Sequence, residues 1–398
     1  MPFDIKFKIK AHDEVTHARG GCLEINVNGC RKRIETPALW FGDLFFSTIK
    51  LWEFMKVNTV MFNAYEILSK QNCKRAKSRK KKFNDIINKA IDKFNDIKRK
   101  TTVMMDSGGF LLQKNKKMRI RPEKIAKIYS IFRPDIGVVL DYPLDPLSSK
   151  EDNAKRWKKT LINTLRMWNS VDVVLLPVVH GYSKSALISA CRQLKELLDP
   201  QVVLIGLGSL VPIIRYTKGI RELFSSYNNL RRGYNSLHLV AELVRTVREE
   251  FPDSFLHVFG VGSVSTMHFL FSLGVDSVDT MGWRLKAAHG AIQLPGVGDR
   301  FVTANSKKRV NLSDHDKELL EKCKCPVCKG LSLEEKLQNL DNAIKNGTFK
   351  KRAIHNAWVF NWELTMARRM IGKGRYLDYI LTNISNRAYK KVIELLFV

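Results

Sequence analysis

The sequence predicts an α/β fold: a (β/α)8 TIM barrel with an N-terminal β-hairpin cap and a C-terminal zinc-binding helical subdomain. Three observations carry this. Eight short apolar, β-rich runs alternate with longer amphipathic stretches, an Asn-Gly pair separates two strand-like runs near the start, and three cysteines with a distant histidine gather towards the end. Strands separated by helical spacers imply βαβ units and a parallel sheet, and eight such units point to closure as a barrel.

Gly20 and Gly21, the run Cys22–Val27, the pair Asn28-Gly29 and a basic run to Ile34 read as a β-hairpin, because Asn-Gly fits the tight turn that matches strand twist. This gives a β cap over residues 1–35. The eight runs that follow are Pro37–Phe41, Thr59–Phe62, Thr101–Met105, Ile136–Leu140, Val173–Val179, Val202–Ile205, Leu256–Phe259 and Val275–Val278, which place a catalytic barrel over residues 36–310. Between the second and third runs, Lys74, Arg75, Lys77, Arg79, Lys80, Lys81 and Lys82 precede the amphipathic stretch Phe83–Ile97, a basic helical insert over about residues 70–100. Arg79, Lys80, Lys81 and Lys82 are candidate nucleic-acid contacts, and a solvated charged face is the equal alternative. A zinc-binding subdomain and C-terminal helices fill residues 311–398.

Sixty-eight Lys and Arg against 39 Asp and Glu leave a formal net charge of +29 on 398 residues, a strong attractive field for polyanions. Nucleic acid is the expected partner; a solvated basic surface is the bland alternative. No run approaches the ~18 apolar residues that span a bilayer, and no basic amphipathic helix with exposed aromatics suggests a membrane surface. The start of the chain lacks the apolar region of a secretory signal, so a cytoplasmic location and reduced cysteines are expected. There is no Walker loop and no G-x-G-x-x-G after the first strand, which argues against a nucleotide triphosphate or dinucleotide cofactor.

Cys323, Cys325, Cys328 and His355 supply three thiolates and an imidazole, the ligand set of a closed tetrahedral Zn2+ site. Four protein ligands leave no open position, so the metal is expected to be structural. Cys22, Cys30, Cys73 and Cys191 are scattered and read as ordinary packed or exposed residues.

Barrel enzymes draw catalytic groups from the C-terminal ends of different strands. Asn63 follows the second run, Asp106 with Ser107, Gly108, Gly109 and Phe110 the third, and Asp141 the fourth. His180 and Gly181 follow the fifth, Gly206, Gly208 and Ser209 the sixth, Phe259 with Gly260 and Gly262 the seventh, and Asp279 the eighth. A single strand-end Asp is commonly a helix cap, but three aspartates, an Asn and three glycine-bearing turns converge on one rim. Such a set suits displacement at an anomeric carbon, in which one carboxylate attacks C1′ and a second moves a proton on the base. Phe110 and Phe259 could sandwich a flat heterocycle, with core packing the usual alternative for a lone aromatic.

Together these residues resemble the queuine/archaeosine tRNA-guanine transglycosylase family from about Phe7 to about Ile380. The marks are Ala18-Arg19-Gly20, Thr36-Pro37-Ala38, Asn63 with Tyr65, Asp106 to Phe110, Asp141, His180-Gly181, His257 to Gly262, Gly274 to Asp279, and the cysteine cluster with His355-Asn356. The resemblance implies that Asp279 is the nucleophile, Asp106 the general acid/base and Asn63 their orienting group. Asp141 would bind the N1–H and 2-amino edge of guanine or a 7-deazaguanine, Phe110 and Phe259 would stack on it, and the Gly206–Ser209 turn would donate to its O6.

Departures from the family pattern shift the expected polymer. His180 replaces the usual Gln, Tyr142-Pro143 follows Asp141, and Thr280 to Lys286 replaces a segment that holds the anticodon loop in the tRNA enzymes. With a basic insert and no C-terminal RNA-binding extension, the chain looks like the branch that inserts preQ0-type 7-deazaguanines into DNA, with Arg284 and Lys286 as polymer contacts and helper proteins that could open the duplex. Three alternatives stay open: the same exchange on tRNA, a non-catalytic nucleic-acid-binding partner subunit, and a base-excising hydrolase.

Overall fold

Each of the eight apolar runs carries a barrel strand. The strands are Ala38–Gly42, Thr59–Asn63, Thr102–Asp106, Ile136–Val138, a fifth in two pieces, Leu204–Leu207, Phe255–Val258 and Ser277–Thr280. All pair in parallel, and Ser277–Thr280 returns to pair with Ala38–Gly42. The computed structural model describes residues 3–27, 29–71, 79–114, 120–198, 202–215, 220, 236–302, 311–341 and 349–398, and for 70–71, 79–86 and 112–114 the backbone alone.

The fifth run differs from its expected continuous form. It divides at Pro177 into Leu175–Leu176, which pairs with the fourth strand, and Val178–Val179, which pairs with the sixth. Proline has no N–H to donate to a ladder, yet its carbonyl accepts Gly206 N at 2.8 Å, so the barrel closes across the break. Fully buried parallel strands read as continuous apolar runs rather than alternating ones, and the burial of all four residues in three of these strands matches that.

The N-terminal cap is larger than a hairpin. Arg19–Val27 and Cys30–Thr36 form the expected pair, with Val27 opposite Cys30 and Gly29 at φ 80°; Asn28 lies outside the described residues. A third strand, Phe3–His12, adds antiparallel to Arg19–Val27. Arg19 anchors the cap at the N-terminal end of the eighth strand: its Nε and Nη2 donate to the two oxygens of buried Asp276 at 2.8 and 2.7 Å, and Arg248 adds a further donor at 2.8 Å.

Much of the basic stretch between strands two and three belongs to the barrel. The helix Arg79–Lys100 runs directly into the third strand and buries Ala90, Phe94 and Ile97 in the main core, so its second half is the crossover helix of that βαβ unit. After the eighth strand come the helix Gly282–Ala288, a hairpin of Ala291–Leu294 with Val297–Phe301, and helices Asp314–Glu321, Leu333–Leu340 and Lys350–Ile371. Ile292, Leu294, Val297, Leu320 and Leu340 form a second small core around the three cysteines. No helix among the described residues is long and apolar enough to cross a membrane.

Candidate active site

Asn63 and Asp106 stand opposite each other in the register of strands two and three, so both side chains leave the sheet at the same rim. Asn63 Nδ2 donates to Asp106 Oδ2 at 2.8 Å, and Gly108 N donates to the same oxygen at 3.2 Å. The Asn63 amide is itself fixed, because its Oδ1 accepts Tyr65 N at 2.9 Å. Burial first, then the negative charges of Asp141 and Asp279, push the Asp106 carboxyl up to about 7. Three carboxyl groups therefore share one field, and Asp106 holds its proton near neutrality.

Asp279 is the next-to-last residue of the eighth strand, and its Oδ1 accepts Gly260 N at 2.7 Å. That donor is presented by a turn with Gly260 at φ 84°, a conformation that favours glycine, and a Cβ there would lie 2.3 Å from Val211 Cγ2. Asp141 follows the fourth strand and is buried, with His180 Nε2 at 3.1 Å from its Oδ2. Phe259 is half-buried, edge-on to His257 at 4.4 Å between centroids, and packs over Gly206. Phe110 begins the helix Gly109–Lys114 and is 43% exposed, so it is not core packing. Gly208 lies against the His180 ring, Ser209 Oγ meets His180 Nδ1 at 2.9 Å, and Gly181 packs on Leu187 at the next helix.

Two further residues belong to this rim. His257 Nε2 lies 3.5 Å from Asp279 Oδ1, and its Nδ1 meets Ser277 Oγ at 2.7 Å. Strand alternation could have found both: His257 shares a face with Phe259, and Ser277 with Asp279, each two residues away.

The proposed polymer contacts fare unevenly. Arg284 bonds Ser47 Oγ and lies 3.9 Å from Asp43, while Lys286 Nζ reaches Asp299 Oδ1 at 2.6 Å. Both cations are mostly buried and matched within the protein. The side chains of Arg79, Lys80, Lys81 and Lys82 lie outside the described residues, as does Cys73.

Below the rim, Cys323, Cys325, Cys328 and His355 place their ligand atoms within 4.8 Å of one another, all buried, and can hold a metal ion. The three sulfurs lie 3.7, 3.5 and 3.6 Å from His355 Nδ1. Tetrahedral coordination at ordinary Zn–S and Zn–N lengths requires a separation of about 3.6 Å. His355 Nε2 meets the Gln293 carbonyl at 2.8 Å, which orients the ring as metal-bound imidazoles usually are. The neighbouring Asn356 donates to Trp283 O at 3.2 Å and accepts Gln293 N at 2.8 Å, and Trp283 Nε1 donates to Gly42 O at 3.0 Å. The cluster thus braces the segment directly after Asp279.

Comparison with known proteins agrees with this rim. The family profile described as Queuine tRNA-ribosyltransferase matches residues 14–388. The chain belongs to that family. Among its relatives, the tRNA-guanine(15) transglycosylase of Thermococcus kodakarensis is 24% identical over 98% of this chain and 60% of its own length. Those of Pyrococcus furiosus and Methanococcus aeolicus are 25% and 24% identical, over 93% and 98% of this chain and 54% and 53% of their own lengths. The chain thus spans a little over half the length of these relatives. Their names point to tRNA, and none of the three points to DNA.

Proposed function

We propose that the protein exchanges guanine in a nucleic acid for a 7-deazaguanine base through a covalent aspartyl-glycosyl intermediate, and that the polymer is tRNA. The observation that carries the chemistry is the carboxyl trio, in which Asp106 is pushed up to about 7 between Asp141 and Asp279. A group with that value can give a proton to one base and take it from the next at neutral pH.

The target guanosine leaves its stack and lies between Phe110 and Phe259, with its N1–H and 2-amino edge on Asp141. Gly260 N–H engages Asp279 Oδ1, which leaves Oδ2 to attack C1′. As the C1′–O bond forms, the C1′–N9 bond breaks and its electron pair goes to the base, which takes the Asp106 proton. Guanine departs and the new base enters. Asp106 then accepts the proton from the incoming N9, which displaces Asp279 and restores the enzyme. The Gly206–Ser209 turn faces O6.

The relatives' names support tRNA. The alternative polymer is DNA; the contacts expected for it, Arg284 and Lys286, are committed to Ser47 and Asp299 and lend it no support. Incubation with labelled guanine and either tRNA or duplex DNA separates these. Label in tRNA is expected; label in DNA alone would select the alternative, and label in neither would return the chain to a binding subunit.

We assign the cysteine-histidine cluster to structural Zn2+, supported by its sulfur–nitrogen spacing. Cys325→Ser should cost several kcal/mol and lower Tm by roughly 5–10 °C, with exchange falling in step as the brace behind Asp279 loosens. A Tm unchanged by this substitution and by chelator would show that no metal is held there.

A further inference from the structure

Behind each of the two outer carboxylates stands the same arrangement. His257 and Ser277 are register partners on strands seven and eight, with Nδ1 to Oγ at 2.7 Å and Nε2 at 3.5 Å from Asp279 Oδ1. His180 and Ser209 follow strands five and six, with Nδ1 to Oγ at 2.9 Å and Nε2 at 3.1 Å from Asp141 Oδ2. Both imidazoles are buried, and neither Nε2 has an aligned hydrogen-bond partner among the described residues. A buried ring nitrogen facing only a carboxylate must carry the proton, since two lone pairs would repel. In the neutral ring Nδ1 is then the acceptor, and the serine hydroxyl is its donor. Ser209 is already placed for this, because its Oγ accepts Leu144 N at 2.8 Å and so turns its own hydrogen elsewhere. Gly208 makes room for the ring: a Cβ there would fall 2.4 Å from His180 Cε1.

We propose that His180 and His257 are a matched pair of positioning residues: in the substrate complex each donates Nε2–H to the carboxylate before it, His257 aiming Asp279 and His180 aiming Asp141. Catalytic hydrogen bonds that are loose without substrate commonly tighten with it. Two fixed donors orient the Asp279 and Asp141 oxygens and leave Asp106, pushed up to about 7, as the group that moves the proton. The inference rests on the base-exchange reading above.

Two measurements on the full chain test it. Nitrogen-15 spectra of histidine-labelled protein, assigned through His180→Gln and His257→Gln, should show both rings protonated at Nε2 and bare at Nδ1; the opposite tautomer at either ring overturns the pairing. In kinetics, His257→Phe should lower kcat about 10- to 100-fold with little change in KM for the base, and His180→Phe should raise that KM by a similar factor with little change in kcat, the loss expected for a hydrogen bond to a charged group. Each Gln variant, which keeps a donor, should recover most of the loss. A merely structural role would lower kcat in both and move KM in neither. If the parent exchanges base and both Phe variants match it, this inference alone falls; if the parent exchanges none, the exchange reading falls and takes the histidine roles with it.

Discussion

Asp279→Ala should lower guanine exchange by about 10⁴-fold or more, the scale on which removal of a covalent nucleophile acts, while polymer binding stays within a few-fold of the parent. The carboxylate is buried, held by the Gly260 N–H and backed by His257, so the substitution deletes a single reacting group and removes no surface charge. Asp279→Asn makes the sharper variant, since it retains the shape and the Gly260 contact but is a far weaker nucleophile. Activity within tenfold of the parent in either variant would remove Asp279 from the role given to it.

Asp106→Asn carries the second large effect. Loss of a positioned general acid and base costs about 10²- to 10⁴-fold, and the pH dependence identifies the group. Asp106 is pushed up to about 7 by burial and by two flanking carboxylates. Expulsion of guanine needs its protonated form, which dominates below that value, so single-turnover release of guanine should fall as pH rises through about 7. Entry of the second base needs the ionised form and should slow as pH falls through the same value. Asp106→Asn should remove both dependences. A release rate that stays flat across neutrality in the parent would show that another group moves the proton.

The barrel was legible because buried parallel strands leave uninterrupted apolar runs, each followed by polar or glycine residues where the chain leaves the sheet. Asp106, Asp141 and Asp279 could be read that way without knowledge of their partners. The cysteine-histidine cluster was legible from residue type and spacing, since Cys325 and Cys328 fall on one tight knuckle. The strand Phe3–His12 was missed although Phe3, Ile5, Phe7 and Ile9 alternate with Asp4, Lys6, Lys8 and Lys10; lysine-rich edge strands protect against further pairing and look like solvated chain. The break at Pro177 was also missed, because a proline inside an apolar run gives no sign of which neighbour each half will join. Arg284 and Lys286 look like free cations in one dimension, and only the fold brings Asp43, Ser47 and Asp299 to them. His257 and Ser277 sat in plain view as strand residues, but their pairing depends on register, which the sequence does not state.

The direct test is to capture the protein while a guanine is leaving. Protein mixed with tRNA, quenched in denaturant before a second base is added and digested for mass spectrometry should yield one peptide carrying an abasic ribose on Asp279, absent in Asp279→Asn. An adduct on Asp106 or Asp141, or guanine released with no covalent species formed, would contradict the account.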